Sequence, residues 1–373
     1  MDTESIASAI SQFSSKFCYE LDKEKSVVSS PLSAEFVLAL LTLGTTDPAH
    51  SELLTALGIP DDDSIRLSFS LLSSQINAVK EVTLNVANKV YIMEGDYELL
   101  PELKEDAVKV FDAEFEKIDF GDNFVAADQV NKWVESKTNN RIKDLLEPDS
   151  LNAQCRLILI NAIYFKGSWA KKFSVEDTRE MEFHVNSNTT LNLPMMCKKD
   201  NYKHGLLNDL NAQVLEMPYA GGEVSMLFVL PNAIEGLDNV LKKIAEGYDL
   251  MAELNKKNVR KVIVHIPKFK IETKINLNVI LQKLGIKRIF EENDSGLTKI
   301  LNSPETLFVS DALQKAFIEV NEEGAEATAA TCLRVIKKRC CKPPPKFCAD
   351  RPFLFLIISR ERTPYFVGCY RGV

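Results

Sequence analysis

From residue 157 onward the apolar residues of this chain fall into short runs rich in β-formers: LILINAIYF (157–165), VLEMPY (214–219), SMLFVLP (225–231), KVIVHIPKFKIE (261–272) and LFLIIS (354–359). Runs of that length and make-up read as strands. They are too many and too dispersed for a single sheet of strand–helix–strand units. The first 150 residues read as mainly helical. Phe36–Leu43 runs apolar up to Gly44, 51–57 stops at Gly58, 64–82 keeps helical spacing, and 101–113 and 125–146 return to helix. Between them LNVANKVYIM (84–93) alternates like a strand. INLNVILQKLG (275–285) reads as a helix within the strand-rich part, with Gly285 as its C-cap. Trp133, Ile142 and Leu145 fall on one helical stripe and read as core. No linker or repeat divides the halves, so the expectation is one α+β domain over residues 1–373 with large sheets.

The 373 residues are 45% hydrophobic and 26% charged, enough apolar material for a large core. A net charge of −8 argues against nucleic acid as a partner, because neutralising phosphates needs a basic face. No apolar run is long enough to span a membrane. MDTESIASAISQF lacks the basic start and apolar stretch of a signal peptide. The expected location is therefore intracellular, or extracellular if a leader was removed. Eight cysteines in a chain of this size read as reduced thiols rather than a disulfide framework. No CxxC pair supports a metal, and no cofactor motif is present.

A catalytic reading also lacks material. His50, His184, His204 and His265 lie in no motif, and GxSxG, HExxH and phosphate-loop patterns are absent. The most unusual text is NEEGAEATAATCLRVIKKRCCKPPPKFCAD (321–350). It opens acidic with Glu322 and Glu323. After Gly324 come Ala325, Glu326, Ala327, Thr328, Ala329, Ala330 and Thr331, with no bulky side chain among them. An alanine-rich run suits a helix. It also suits a segment entering a crowded sheet as a new strand, because every second residue is small. The basic run LRVIKKR follows, and a trypsin-like protease would cut it. A segment able to join a sheet, followed by protease bait, reads as a spring trap.

With that segment in view, the chain resembles the serpins over nearly its full length. VNEEGAEATAAT (320–331) resembles the hinge of inhibitory members, and SSPLS (29–33) their shutter, with Ser30 and Ser33. NAIYFKGSW (161–169) is similar to the strand carrying the shutter asparagine, here Asn161, and the breach tryptophan, here Trp169. NKWVESKTNNRI, VHIPKFKIE and RPFLFLI complete the pattern in the family's order. Gln314 stands where the shutter usually has histidine; an amide still donates and accepts, but it does not titrate. That spelling and the DRPF text resemble insect members.

The resemblance implies three β-sheets and about eight or nine helices, with an exposed reactive-centre loop at 322–347. It implies a non-enzymatic, monomeric inhibitor that traps a protease covalently by loop insertion. Counting fourteen residues on from Gly324 places the reactive bond at Lys338–Arg339, and counting back from Phe347 favours Arg339–Cys340. Either bond offers a base to the buried aspartate of a trypsin-like pocket. Ile336 before Lys338 suits a papain- or cathepsin-like cysteine protease, and the Lys–Arg pair suits a dibasic-processing enzyme. A non-inhibitory serpin is the remaining alternative, opposed by the intact hinge.

Overall fold

The structure is a computed structural model that describes residues 3–323 and 343–372. Among the described residues there are nine α-helices and fourteen strands. Five strands form a central sheet in the order Phe269–Asn276, Val309–Val320, Leu157–Gly167, Val82–Met93 and Glu114–Ile118. Its second and third strands are parallel neighbours joined directly, with Gln314 opposite Asn161 and Phe317 opposite Tyr164. The flanking pairs on either side of them are antiparallel.

The other nine strands form one hydrogen-bonded network. Its long strand Thr190–Leu207 pairs with Ala212–Pro218 through residues 203–207, and with Val259–Pro267 through residues 195–203. The network is thus a second and a third sheet, continuous through one strand. Together with the central sheet this is the expected three-sheet α+β architecture.

Alternation along the central strands divides the core. Leu157, Leu159, Ile163 and Phe165 share a face with Ala316 and Ile318, and pack toward the buried helix Pro31–Leu43 and the second sheet. Ile158, Ile160, Tyr164, Leu313 and Phe317 face the other way, onto the helix Asn123–Lys137. Helix Pro31–Leu43 starts where it does because Ser30 Oγ accepts from the backbone N–H of Ser33 and Pro31 needs no donor at the first turn. It carries one misfit among its apolar residues, Glu35, which is 1% exposed with Oε2 unpartnered. Burial pushes that carboxyl well above its usual range.

Several sequence expectations need correction. The helix expected over 125–146 ends at Lys137, because Asn139, Asn140 and Asp144 take left-handed backbone angles that no helix continues through. Ile142 and Leu145 are buried but not on its stripe; they lie in the turn beyond it. The 101–113 helix stops at Lys109, short of left-handed Asp112. The 64–82 helix is Asp62–Ala78, and Val82 already opens a strand. KVIVHIPKFKIE is two strands in two different sheets, broken after Pro267, which has no N–H to extend a ladder.

Candidate functional site

The seam between the parallel strands Leu157–Gly167 and Val309–Val320 is closed differently on its two faces. On the face toward helix Pro31–Leu43, three amide side chains stand at one level on three neighbouring strands: Gln314, Asn161 and Asn88. Gln314 Nε2 donates to Asn161 Oδ1 at 2.6 Å across the seam, and to the Ser30 carbonyl at 2.8 Å. Gln314 Oε1 accepts from Ser29 Oγ at 2.5 Å and from the Ser30 N–H at 2.9 Å. Asn161 Nδ2 donates to Ser33 Oγ and to Asn88 Oδ1, and Ser33 Oγ donates to Asn88 at 3.2 Å. Ser30 Oγ donates to the Tyr365 carbonyl at 2.6 Å, tying the group to the second sheet. All six side chains are at most 5% exposed. Buried amides of this kind hold their geometry because every donor lost leaves an unsatisfied partner. On the opposite face the seam is closed by the rings of Tyr164 and Phe317, 5.6 Å apart.

The sequence-predicted residues Ser30, Ser33, Asn161 and Gln314 are therefore brought together. Asn88 belongs with them and was missed. Its signal was present: in LNVANKVYIM it alternates with Val86 and Val90, a polar side chain on the strand's core face. Gln314 contributes an amide, which stays neutral at every physiological pH.

At the end of the seam, beyond both strands, lies a second cluster. Trp169 is 4% exposed, stacked on Tyr219 with centroids 4.5 Å apart, and edge-on to Phe173. Gly167 permits this, since a Cβ there would meet the Tyr219 ring at 2.6 Å. Trp169 Nε1 donates to the Asn321 carbonyl at 2.9 Å, a bond that also crosses the seam. Glu322 is buried next to it, accepting from Thr178 Oγ1 at 2.7 Å and pairing with Lys268 Nζ at 2.8 Å. Burial raises this carboxyl, but the bonds from Lys268 and Thr178 outweigh it and hold Glu322 below its usual range. Glu323 is exposed, its N–H donating to Asn321 Oδ1 at 2.9 Å.

The remaining predicted site residues, Gly324, Ala325, Glu326, Ala327, Thr328, Ala329, Ala330, Thr331, Lys338, Arg339 and Cys340, lie outside the described residues. The segment's far end is described. Lys346–Cys348 runs parallel to Val259–Pro267 in the third sheet, and Ile263 N–H donates to the Pro345 carbonyl at 3.0 Å. Residues 322 and 346 are thus fixed on different sheets. Among the described residues no cluster of histidine, cysteine or carboxylate could hold a metal, and Cys18, Cys155, Cys197, Cys348 and Cys369 are free thiols.

The central sheet thus has two parallel middle strands bonded to each other along one seam, and the chain continues past residue 323 from the end of one of them. The family profile described as Serpin (serine protease inhibitor) matches residues 8–371, and the chain belongs to that family. It is 41% identical over 335 residues to "Antitrypsin" of Bombyx mori, covering 89% of this chain and 85% of that one. It is also 41% identical over 334 residues to "Antichymotrypsin-2" of the same insect, covering 89% and 88%. The fold matches the crystal structure of Serpin48 from the insect Tenebrio molitor with a TM-score of 0.88 at 30% identity, over 100% of this chain and 99% of that one.

Proposed function

We propose that this chain is a suicide-substrate inhibitor of trypsin-like serine proteases, cut at Lys338–Arg339 or Arg339–Cys340 and trapping the enzyme by insertion of the cut segment into the seam. The observation that carries this reading is the seam itself. A segment leaving Val309–Val320 and turning back runs antiparallel to that strand. It is equally antiparallel to Leu157–Gly167, because those two strands are parallel. One strand can then complete an antiparallel ladder on both of its edges. The fifteen residues from Gly324 to Lys338 are enough to run the length of strands of eleven and twelve residues.

On this reading Trp169, Glu322 and their partners guard the entry point, and the Gln314–Asn161–Asn88 ladder must part midway. The two Bombyx relatives are equally similar yet named for different proteases. Overall likeness does not choose the target, so the basic bait does: a buried aspartate in the enzyme's pocket needs a cationic partner.

Incubation with trypsin and, separately, with a papain-type enzyme tests this. The expected result is a trypsin complex that survives a denaturing gel. The peptide released with it should begin at Arg339 or Cys340, which separates the two registers. Lys338→Ala with Arg339→Ala should abolish trypsin inhibition and leave the fold intact. Clean cleavage with both enzymes active overturns the inhibitory reading. Loss of the papain-type activity alone assigns the bait to Ile336 and Lys338 in a cysteine protease.

A further inference from the structure

We propose that the outward face of the third sheet, at Lys199, Lys261 and Lys346, is a docking surface for the target protease, engaging an acidic patch beside that enzyme's active-site cleft. The register sets the three lysines side by side. Lys199 and Lys346 both stand opposite Ile263, one on either side, and Lys261 is two residues along the same strand, opposite Asn201. Val262, Val264, Ile266 and Phe347, which alternate with these positions, are fully buried, so the lysines share the opposite, outward face. Strand spacing puts the Lys199 and Lys346 backbones about 10 Å apart, with Lys261 about 7 Å further along.

All three are exposed, and none pairs with a described carboxylate. The acids nearby are already engaged. Asp200 is held by Lys171, Glu216 by Arg362 and Lys203, and Asp350 by Arg351. Asp177, Arg179 and Lys346 all act on the Cys197 thiol, the acid opposed there by the two bases. Three ammonium groups without an ion-pair partner among the described residues, on a chain of net charge −8, form a basic patch on an acidic molecule.

Position identifies the occupant. Pro343–Pro345 lead straight into Lys346, and the Pro345 carbonyl is bonded to the lysine-bearing strand at Ile263. An enzyme seated on the bait is separated from Lys346 by only six to eight residues, from 340 or 338 to 346. Fully extended, that is at most about 20–30 Å of chain, so the enzyme's own surface reaches the patch. A polyanion track would need a longer basic stripe for its affinity. Exposed complementary charge beside a specific contact acts mainly on the association rate and is screened by salt.

This inference rests on the trypsin-like target reading, and the test keeps the two apart. Second-order inhibition rates are measured for the unsubstituted chain and for K199Q/K261Q/K346Q against an anionic and a cationic trypsin isoform, at low and high salt. The rate with the anionic isoform should fall roughly tenfold at low salt, with the gap closing as salt rises. The cationic isoform should change by less than about twofold, and the stoichiometry of inhibition should stay the same. Equal losses with both isoforms, or none with either, overturn the docking surface. So does a variant that loses only its retention on a sulfated-polysaccharide matrix while its inhibition rates hold. If the unsubstituted chain forms no complex with either isoform, the target reading fails first and takes this one with it.

Discussion

Cutting the chain between Ile336 and Cys341, with no protease left attached, raises its melting temperature by tens of degrees. The released segment gains two neighbours at once, Val309–Val320 on one side and Leu157–Gly167 on the other. An inserted strand of about ten residues forms ten or more backbone hydrogen bonds, at about 1 kcal/mol net each. Roughly 10 kcal/mol at about 2 °C per kcal/mol, the scale for larger domains, gives a shift of about 20 °C or more. The uncut protein tethers the segment at both ends, at Glu322 beside the central sheet and at Lys346 in the third, and the seam it would enter is latched by the Gln314–Asn161 and Trp169–Asn321 bonds and by Tyr164 against Phe317. Its survival is kinetic on this account. Calorimetry of the cut and uncut protein checks it, and an unchanged melting temperature marks a segment that does not insert.

Ala325→Arg turns the inhibitor into a substrate. Ala325 is among the first residues to enter the seam after Gly324, and the run from there to Thr331 carries no bulky side chain. An arginine among them must shed its water as it enters a sheet covered on both faces by buried apolar residues. Desolvating an unpaired charge costs several kcal/mol, and each 1.4 kcal/mol on the insertion barrier slows it about tenfold. Insertion then falls behind hydrolysis of the acyl-enzyme. The gel should show cut chain and active trypsin, with covalent complex reduced at least about a hundredfold. An unchanged yield of complex removes the insertion step from the mechanism. The parent protein's shutter should behave alike from pH 5 to 8, since Gln314 does not titrate there.

The strands of the central sheet were legible because burial on both faces makes LILINAIYF continuously apolar, and LNVANKVYIM is rich in β-formers, although its residues 87–92 are buried on both faces rather than in alternation. The helix ends were less so. Nothing in the pattern of 125–146 announces that Asn139 and Asn140 turn left-handed, because the buried Ile142 and Leu145 keep a helical spacing past the true end. Pro267 did carry a signal, a residue that cannot donate inside a strand run, yet the run read as one element. In the site, Ser30, Asn161 and Gln314 were found by resemblance, whereas Asn88 was readable from alternation alone. Glu322 was placed in the hinge by its sequence, but its partners Thr178 and Lys268 come from other elements and only the fold brings them together. The third-sheet lysines, 62 and 85 residues apart along the chain, are adjacent only through strand register.

The account turns on the seam between Leu157–Gly167 and Val309–Val320 widening by one strand. Nitroxide labels at positions 166 and 319, which stand beside each other in the register continued from Phe165 and Ile318, report its width by dipolar broadening. In the uncut protein the two backbones should sit about one strand spacing apart, near 5 Å. After cleavage of the bait, or in the covalent complex, the separation should grow by about another 5 Å as the new strand takes its place. A separation that stays the same in the cut protein and in the complex would contradict insertion at this seam.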